Sequence, residues 1–283
     1  MIKDDEKVLN ITNSRGNMKI LKKLGIMGLV LGLTIGAVGC SSTDKKDGDK
    51  KAEEVVTLNV SAAASLQEAM KELETKFKEV DSNVKLEVNL GASGALQQQI
   101  EEGAPCDVFI SAGQKQMTAL EEKDLLLKDT NKTLLTNDLV LVTAKGTEIK
   151  DLEEIATADV SKIAIGDPES VPAGKYAKEV LDNTKLYDKV EKKLVLAKDV
   201  KEVLFWVQQG NADAGFVYLS DTIGAGKIKV ALTTDEKTHS PITYPVAVLK
   251  NSQKQEKAKA FEDFLLSEDG QSILEKYGFK KAN

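Results

Sequence analysis

The sequence predicts an α/β fold built on mostly parallel sheets. Three observations carry this expectation. Short apolar runs of strand type alternate with segments of helical periodicity, the loops between them are short, and small or hydroxyl residues stand where strands give way to helices. Val55–Val60 alternates apolar and polar residues as a strand, and Leu66, Met70, Leu73 and Phe77 then recur on one helix face. Ser65 stands where an N-cap belongs, and Glu68 completes a capping-box pattern. Val84–Leu90 alternates again, followed by Gly91–Gly94 and a helix carrying Leu96 and Ile100. Asp107–Ile110 reads as a short buried strand ahead of a helix with Met117 and Leu120.

Further along, Leu139–Ala144 (LVLVTA) is a strong strand and Asp151–Ala156 a short helix. The stretch Ile163–Glu179 (IAIGDPESVPAGKYAKE) organises the middle of the chain. Its apolar strand ends at Gly166, a turn with Pro168 and Pro172 follows, and a helix begins with small residues over its first turn. Such a start presents unpaired N–H groups and the positive end of a helix dipole, where an oxyanion could sit; an ordinary βα loop would read the same way. Leu194–Ala197 is a strand before a helix with Val203, Leu204 and Val207, on which Trp206 reads as core. Ala214–Tyr218, Ile228–Leu232 and Ile242–Leu249 are strands, and two helices, Gln255–Leu266 and Glu268–Tyr277, close the chain. No Pro/Gly/Ser-rich linker separates two beads; the alternation resumes after Leu134, which fits a crossover into a second domain.

The 283 residues begin with a segment that does not belong to this pattern. Lys19, Lys22 and Lys23 precede an apolar run from Leu24 to Val38, too short to span a membrane and ending in small residues, so residues 1–39 read as a signal peptide. Met18 stands as an alternative start to Met1. Ala37-Val38-Gly39-Cys40 resembles the lipobox of bacterial lipoproteins, although Ala37 replaces the usual leucine, and the match implies lipidation at Cys40. Residues 40–54 are charged and without apolar content, as a flexible tether would be. Removing residues 1–39 takes away six basic and three acidic residues, so the net charge moves from −6 to −9. An acidic surface argues against nucleic acid as a partner and leaves the lipid as the one contact with the membrane. Arg15 is the only arginine, so an anion bound by the mature chain meets backbone amides, hydroxyls or lysine. With Cys106 and His239 alone beyond residue 40, structural zinc and histidine-based triads are hard to build; Cys106 reads as a small buried hydrophobe and His239 as a surface residue.

Four strand-to-helix junctions share small or hydroxyl residues: Ala62–Ser65, Gly91–Gly94, Gly166–Gly174 and Ala197–Val200. In open α/β sheets ligands bind outside the carboxyl ends of strands. Four converging helix starts would give a pocket of donors with little formal charge, suited to a dianion; four independent N-caps would leave the same trace. No nucleophile–base pair stands beside these loops, so no enzymatic activity is expected, and an oxyanion-ester enzyme is the rival reading.

The segments AAASL (62–66), GASGALQQQIEEGAPCDVFISAGQKQM (91–117), GDPESVPAGKYAKE (166–179), KDVKEVL (198–204), GFVYLSD (215–221), YPVAV (244–248) and YGF (277–279) closely resemble, in order, the molybdate-binding proteins of bacterial ABC transporters. The resemblance runs from about Val55 to Phe279. It implies a type II periplasmic-binding-protein fold with lobe one at 55–135 and 243–283 and lobe two at 136–242. It also implies a monomeric extracytoplasmic receptor for molybdate, and for tungstate too, that delivers its ligand to a permease driven by an ATPase and needs no cofactor or cation site. A receptor for another tetrahedral oxyanion such as sulfate is the alternative. Carried over residue by residue, the ligand contacts fall on Ser65 and Ser93 through their hydroxyls, Ala173 and Val200 through backbone N–H groups, and Tyr218 through its phenol. Gly91–Gly94 is poorer in serine than some relatives, and Gly113 stands where aspartate is common.

Overall fold

The structure, a computed structural model, describes residues 55–157 and 159–282. The signal peptide expected at 1–39, Cys40 and the tether at 40–54 lie outside the described residues. The first run of elements is β1 (Val56–Ala63), α1 (Gln67–Val80), β2 (Val84–Gly91), α2 (Ser93–Glu101), β3 (Val108–Ile110), α3 (Gln114–Glu122) and β4 (Lys132–Thr136). The second is β5 (Leu139–Ala144), β6 (Ile163–Gly166), α4 (Pro172–Asn183), α5 (Tyr187–Val190), β7 (Leu194–Ala197), α6 (Val200–Gln208), β8 (Ala214–Tyr218), α7 (Leu219–Thr222) and β9 (Ile228–Thr233). The chain then returns with β10 (Thr243–Val248), α8 (Gln255–Leu266), α9 (Glu268–Lys276) and β11 (Lys280–Lys281).

These strands make two sheets flanked by helices, of order β11-β4-β10-β3-β1-β2 and β7-β6-β8-β5-β9. The chain passes between them twice, through Asn137–Asp138 and through residues 234–242. The α/β class expected from the alternation holds, and each sheet is mixed, with most of its strands running in one direction. Parallel ladders join β1 to β2 and β3, and β6 to β7 and β8. Every ladder involving β4, β5, β9, β10 or β11 is antiparallel. The reason is connectivity. Strands linked by helical crossovers run parallel, whereas β5 and β10, entered directly from the passages between the sheets, run against both of their neighbours.

The amphipathic segments pack as their periodicity requires. Met70, Leu73 and Phe77 line the buried face of α1, and the Phe77 ring meets Phe261 of α8 edge-on at 5.0 Å. In β5, Leu139 to Val142 are all fully buried, matching a strand covered on both faces. Trp206 is half-buried against the core, as expected. Three elements escape the sequence pattern: β4 has only two consecutive leucines, β11 is two residues long, and α5 is a single turn.

The β6–α4 junction is the tightest part of the fold. Pro172 opens α4 at a position where its missing N–H costs nothing. A Cβ added to Gly174 would lie 1.9 Å from the Gly166 carbonyl oxygen, so the first turn of α4 sits directly on the end of β6. Gly174→Ala is therefore expected to destabilise the protein by about 3 kcal/mol through overpacking against backbone. Urea denaturation checks this, and a loss below about 1 kcal/mol would mean that the junction relaxes freely.

Candidate functional site

Four strand ends and the helix starts beyond them converge on one small pocket of about 10 Å3. On this scale a single water needs about 10–15 Å3, so the pocket is closed down to about the space of one water. Ser65, Ser93, Ala173, Val200 and Tyr218 all line it. All five are buried, none more than 4% exposed. The junctions singled out in the sequence thus meet in space, and Tyr218 joins them from the end of β8.

Each residue arrives by a local cause. Ser93 and Val200 are the first residues of α2 and α6, and Ala173 is the second of α4, positions whose N–H groups have no intrahelical acceptor. Asp199 caps α6, its Oδ1 accepting from the Glu202 N–H at 2.9 Å, which orients the helix start toward the pocket. The Ser93 hydroxyl accepts from the Ala112 N–H at 2.9 Å and so keeps its own proton available. Ser65 departs from expectation. It lies inside a 3-10 turn, Ala64–Leu66, and α1 begins at Gln67 with Leu66 at its N-cap and no side-chain cap. The hydroxyl that would have capped the helix instead meets the Tyr244 hydroxyl at 2.9 Å. The Tyr218 hydroxyl donates to the Ala112 carbonyl at 3.4 Å, a long and weak contact that leaves the phenol free for a better acceptor.

The two halves of the pocket belong to different sheets and touch through main chain. The Gly94 N–H donates to the Ser170 carbonyl at 2.9 Å, and a Cβ at Gly94 would lie 2.5 Å from that oxygen. Ser170 is held in a turn in which the Asp167 carboxylate accepts from the Glu169 N–H and the Ser170 hydroxyl, both at 3.1 Å. Asp167 is thereby engaged within its own loop and does not line the pocket.

The pocket's donors are neutral, and the Asp199 carboxylate that caps α6 stands among its lining residues. Among the described residues, no lysine or arginine side chain lines it. Burial pushes the Tyr218 phenol well above its ordinary value of 10, with Tyr244 adding to the shift, so Tyr218 keeps its proton. Behind the pocket Asp221 is fully enclosed; one carboxylate oxygen accepts from the Tyr218 N–H at 3.2 Å and the other lies 2.9 Å from the Lys201 ammonium. Burial raises the Asp221 carboxyl above its ordinary 3.8, and Lys201 pulls it part of the way back.

A roomier depression of about 300 Å3 beside Cys106 is lined by the first sheet's residues alone. Burial pushes the Cys106 thiol up to about 11, which keeps it protonated and unreactive. Asp107 in the same place is fully engaged by Ser252, Asn59 and Lys254. Burial would raise its carboxyl, but these partners outweigh that and hold it below its ordinary value. His239 is partly exposed, its ring 6.0 Å from that of Tyr176.

Residues 58–280 match the family of bacterial extracellular solute-binding proteins. The chain belongs to this family. Its relatives include the molybdate-binding protein ModA of Escherichia coli, 38% identical over 228 residues, covering 78% of this chain and 88% of that one. A putative ABC transporter substrate-binding lipoprotein of Bacillus subtilis, YvgL, is 38% identical over 261 residues, 92% of this chain and 99% of its own. Among solved structures, the substrate-binding domain of a putative molybdenum ABC transporter from Clostridium difficile is 63% identical, with a TM-score of 0.65, over 81% of this chain and all of that domain. The family is one of solute binders, not of enzymes.

Sequence reasoning missed Asp221 and Tyr244 as buried groups behind this pocket. Both lay in segments that carried the family resemblance, LSD and YPVAV, but nothing local marks them as buried. For Asp221 the folded-state value exceeds the unfolded one, so the native state takes up this proton first on acidification. The group becomes less costly to the fold as pH falls and more costly as pH rises above about 3.8. Lys201→Met removes the compensating cation. It is expected to destabilise the protein by about 3 kcal/mol near neutrality and to recover part of that loss in acid. Urea midpoints over a pH series test this; a loss equal at every pH would mean that Lys201 acts by packing alone.

Proposed function

We propose that this protein is an extracytoplasmic receptor that captures molybdate, or tungstate, between two lobes and delivers it to the permease of an ABC transporter. The observation that carries the reading is the meeting of Ser65, Ser93, Ala173, Val200 and Tyr218 in one small buried pocket without a lining cation. A dianion there is balanced by oriented dipoles: two serine hydroxyls, a phenol, and the N–H groups of three helix starts. The molybdate-binding relatives support the choice of oxyanion. Residues 55–135 with 243–283 form the first lobe and 136–242 the second, hinged at the two passages between the sheets. The ligand is held by Ser65 and Ser93 from the first and by Ala173, Val200 and Tyr218 from the second. Lipidation at Cys40 anchors a monomer to the membrane through the tether at 40–54. The protein is not an enzyme in this reading, because each pocket serine hydroxyl is paired with a neutral group, the Ala112 N–H or the Tyr244 hydroxyl, in place of a base.

Calorimetric titration of the purified protein with molybdate, tungstate, sulfate and phosphate tests the proposal. Tight binding of the first two and silence toward the last two is expected, since sulfate is a smaller tetrahedron that leaves the donors too distant. Sulfate binding as tight as molybdate would move the specificity, and silence toward all four would sink the reading. Ser93→Ala is expected to weaken molybdate binding by about 1–3 kcal/mol, the usual cost of leaving a buried oxygen one donor short. Unchanged affinity in that variant would remove Ser93 from the site.

A further inference from the structure

A chain of buried polar groups runs from the first passage between the sheets to the pocket, and the Asn137 amide orders its hydrogen bonds. Asn137 lies between β4 and β5, 7% exposed. Its Oδ1 accepts from the Asp138 N–H at 2.9 Å, which fixes the other arm of the amide as the donor. Nδ2 has two protons, one given to the Ser220 hydroxyl at 2.8 Å and one directed at the Tyr244 oxygen at 3.4 Å. Tyr244 is fully buried on β10, its ring held edge-on between Tyr218 at 5.6 Å and Phe279 at 5.5 Å. Because the Asn137 amide can only donate to it, the Tyr244 hydroxyl proton must go elsewhere, and the Ser65 Oγ at 2.9 Å is its acceptor. The reverse assignment, with Ser65 donating to Tyr244, would send the phenolic proton toward the Tyr218 hydroxyl, a poorer acceptor than the Ser65 Oγ at 2.9 Å. With one lone pair of Ser65 filled by Tyr244, the Ser65 proton is left to point into the pocket.

We propose that Tyr244 and Asn137 are positioning residues that fix the Ser65 hydroxyl as a donor toward the bound anion, by filling its acceptor side from behind. The inference rests on the oxyanion-receptor reading and deepens it. Neither residue lines the pocket, so each acts through Ser65. In Tyr244→Phe the Ser65 hydroxyl is no longer oriented and rotates among alternative partners, whereas the pocket wall is unchanged.

A double-mutant cycle with molybdate as the probe separates this role from a merely structural one. Tyr244→Phe is expected to lower molybdate affinity about five- to tenfold when Ser65 is present, the scale of one hydrogen bond. In a Ser65→Ala background the same substitution is expected to change affinity by less than about twofold, because there is no hydroxyl left to orient. Losses that simply multiply in the double variant would overturn the proposal while leaving the receptor reading intact. A wild-type protein silent toward molybdate would overturn both. Should Tyr244→Phe fail to fold, Asn137→Ala takes its place in the same cycle, with the same expectation and the same overturning result.

Discussion

Main chain pressed against main chain at the ends of strands is what the rest of this structure depends on. At the β6–α4 junction the helix begins so close to the strand that Gly174 has no room for a side chain beside the Gly166 carbonyl. That proximity carries the free N–H of Ala173 to the pocket wall with nothing standing in front of it. Ser93 and Val200 likewise stand first in their helices, so their N–H groups also lack an intrahelical acceptor. A side chain at Gly174 would push the start of α4 back from the end of β6.

A site assembled from dipoles must control hydroxyl directions, because a hydroxyl pointing the wrong way turns a donor into an acceptor. The fold does this from behind the pocket. Ser93 is filled by the Ala112 N–H and Ser65 faces Tyr244. Asp221 holds the backbone of Tyr218 and is itself offset by Lys201. The Asp221–Lys201 pair therefore lies outside the pocket, whose donors are neutral and whose one lining carboxylate, Asp199, is occupied in capping α6.

Much of this was legible in the sequence, for a physical reason. Helix starts and strand ends are local features, written in residues a few positions apart, so Gly91–Gly94, Gly166–Gly174 and Ala197–Val200 could be recognised as junctions of one kind. Their meeting in one pocket agrees with the rule that ligands gather at strand ends. What escaped was non-local. Ser65 looks like an N-cap because Glu68 follows at the right spacing, yet its partner is 179 residues away. Strand β11 exists only by pairing with β4, and neither has enough alternation to announce itself. The antiparallel ladders follow from where the chain passes between sheets, which local pattern does not record. Nothing in the sequence around Asp221 marks it as buried, and only the packed structure shows it enclosed.

The contact between Gly94 and Ser170 has a consequence for how such a site can change over time. There the two halves stop against each other backbone to backbone, with no side chain between them. The calibre of the pocket is thus a property of loop path. Exchanging lining side chains alters which groups greet the cargo, but it cannot bring the walls closer than the main chain allows. A lineage that came to prefer a smaller tetrahedron would have to redraw these loops by insertion or deletion.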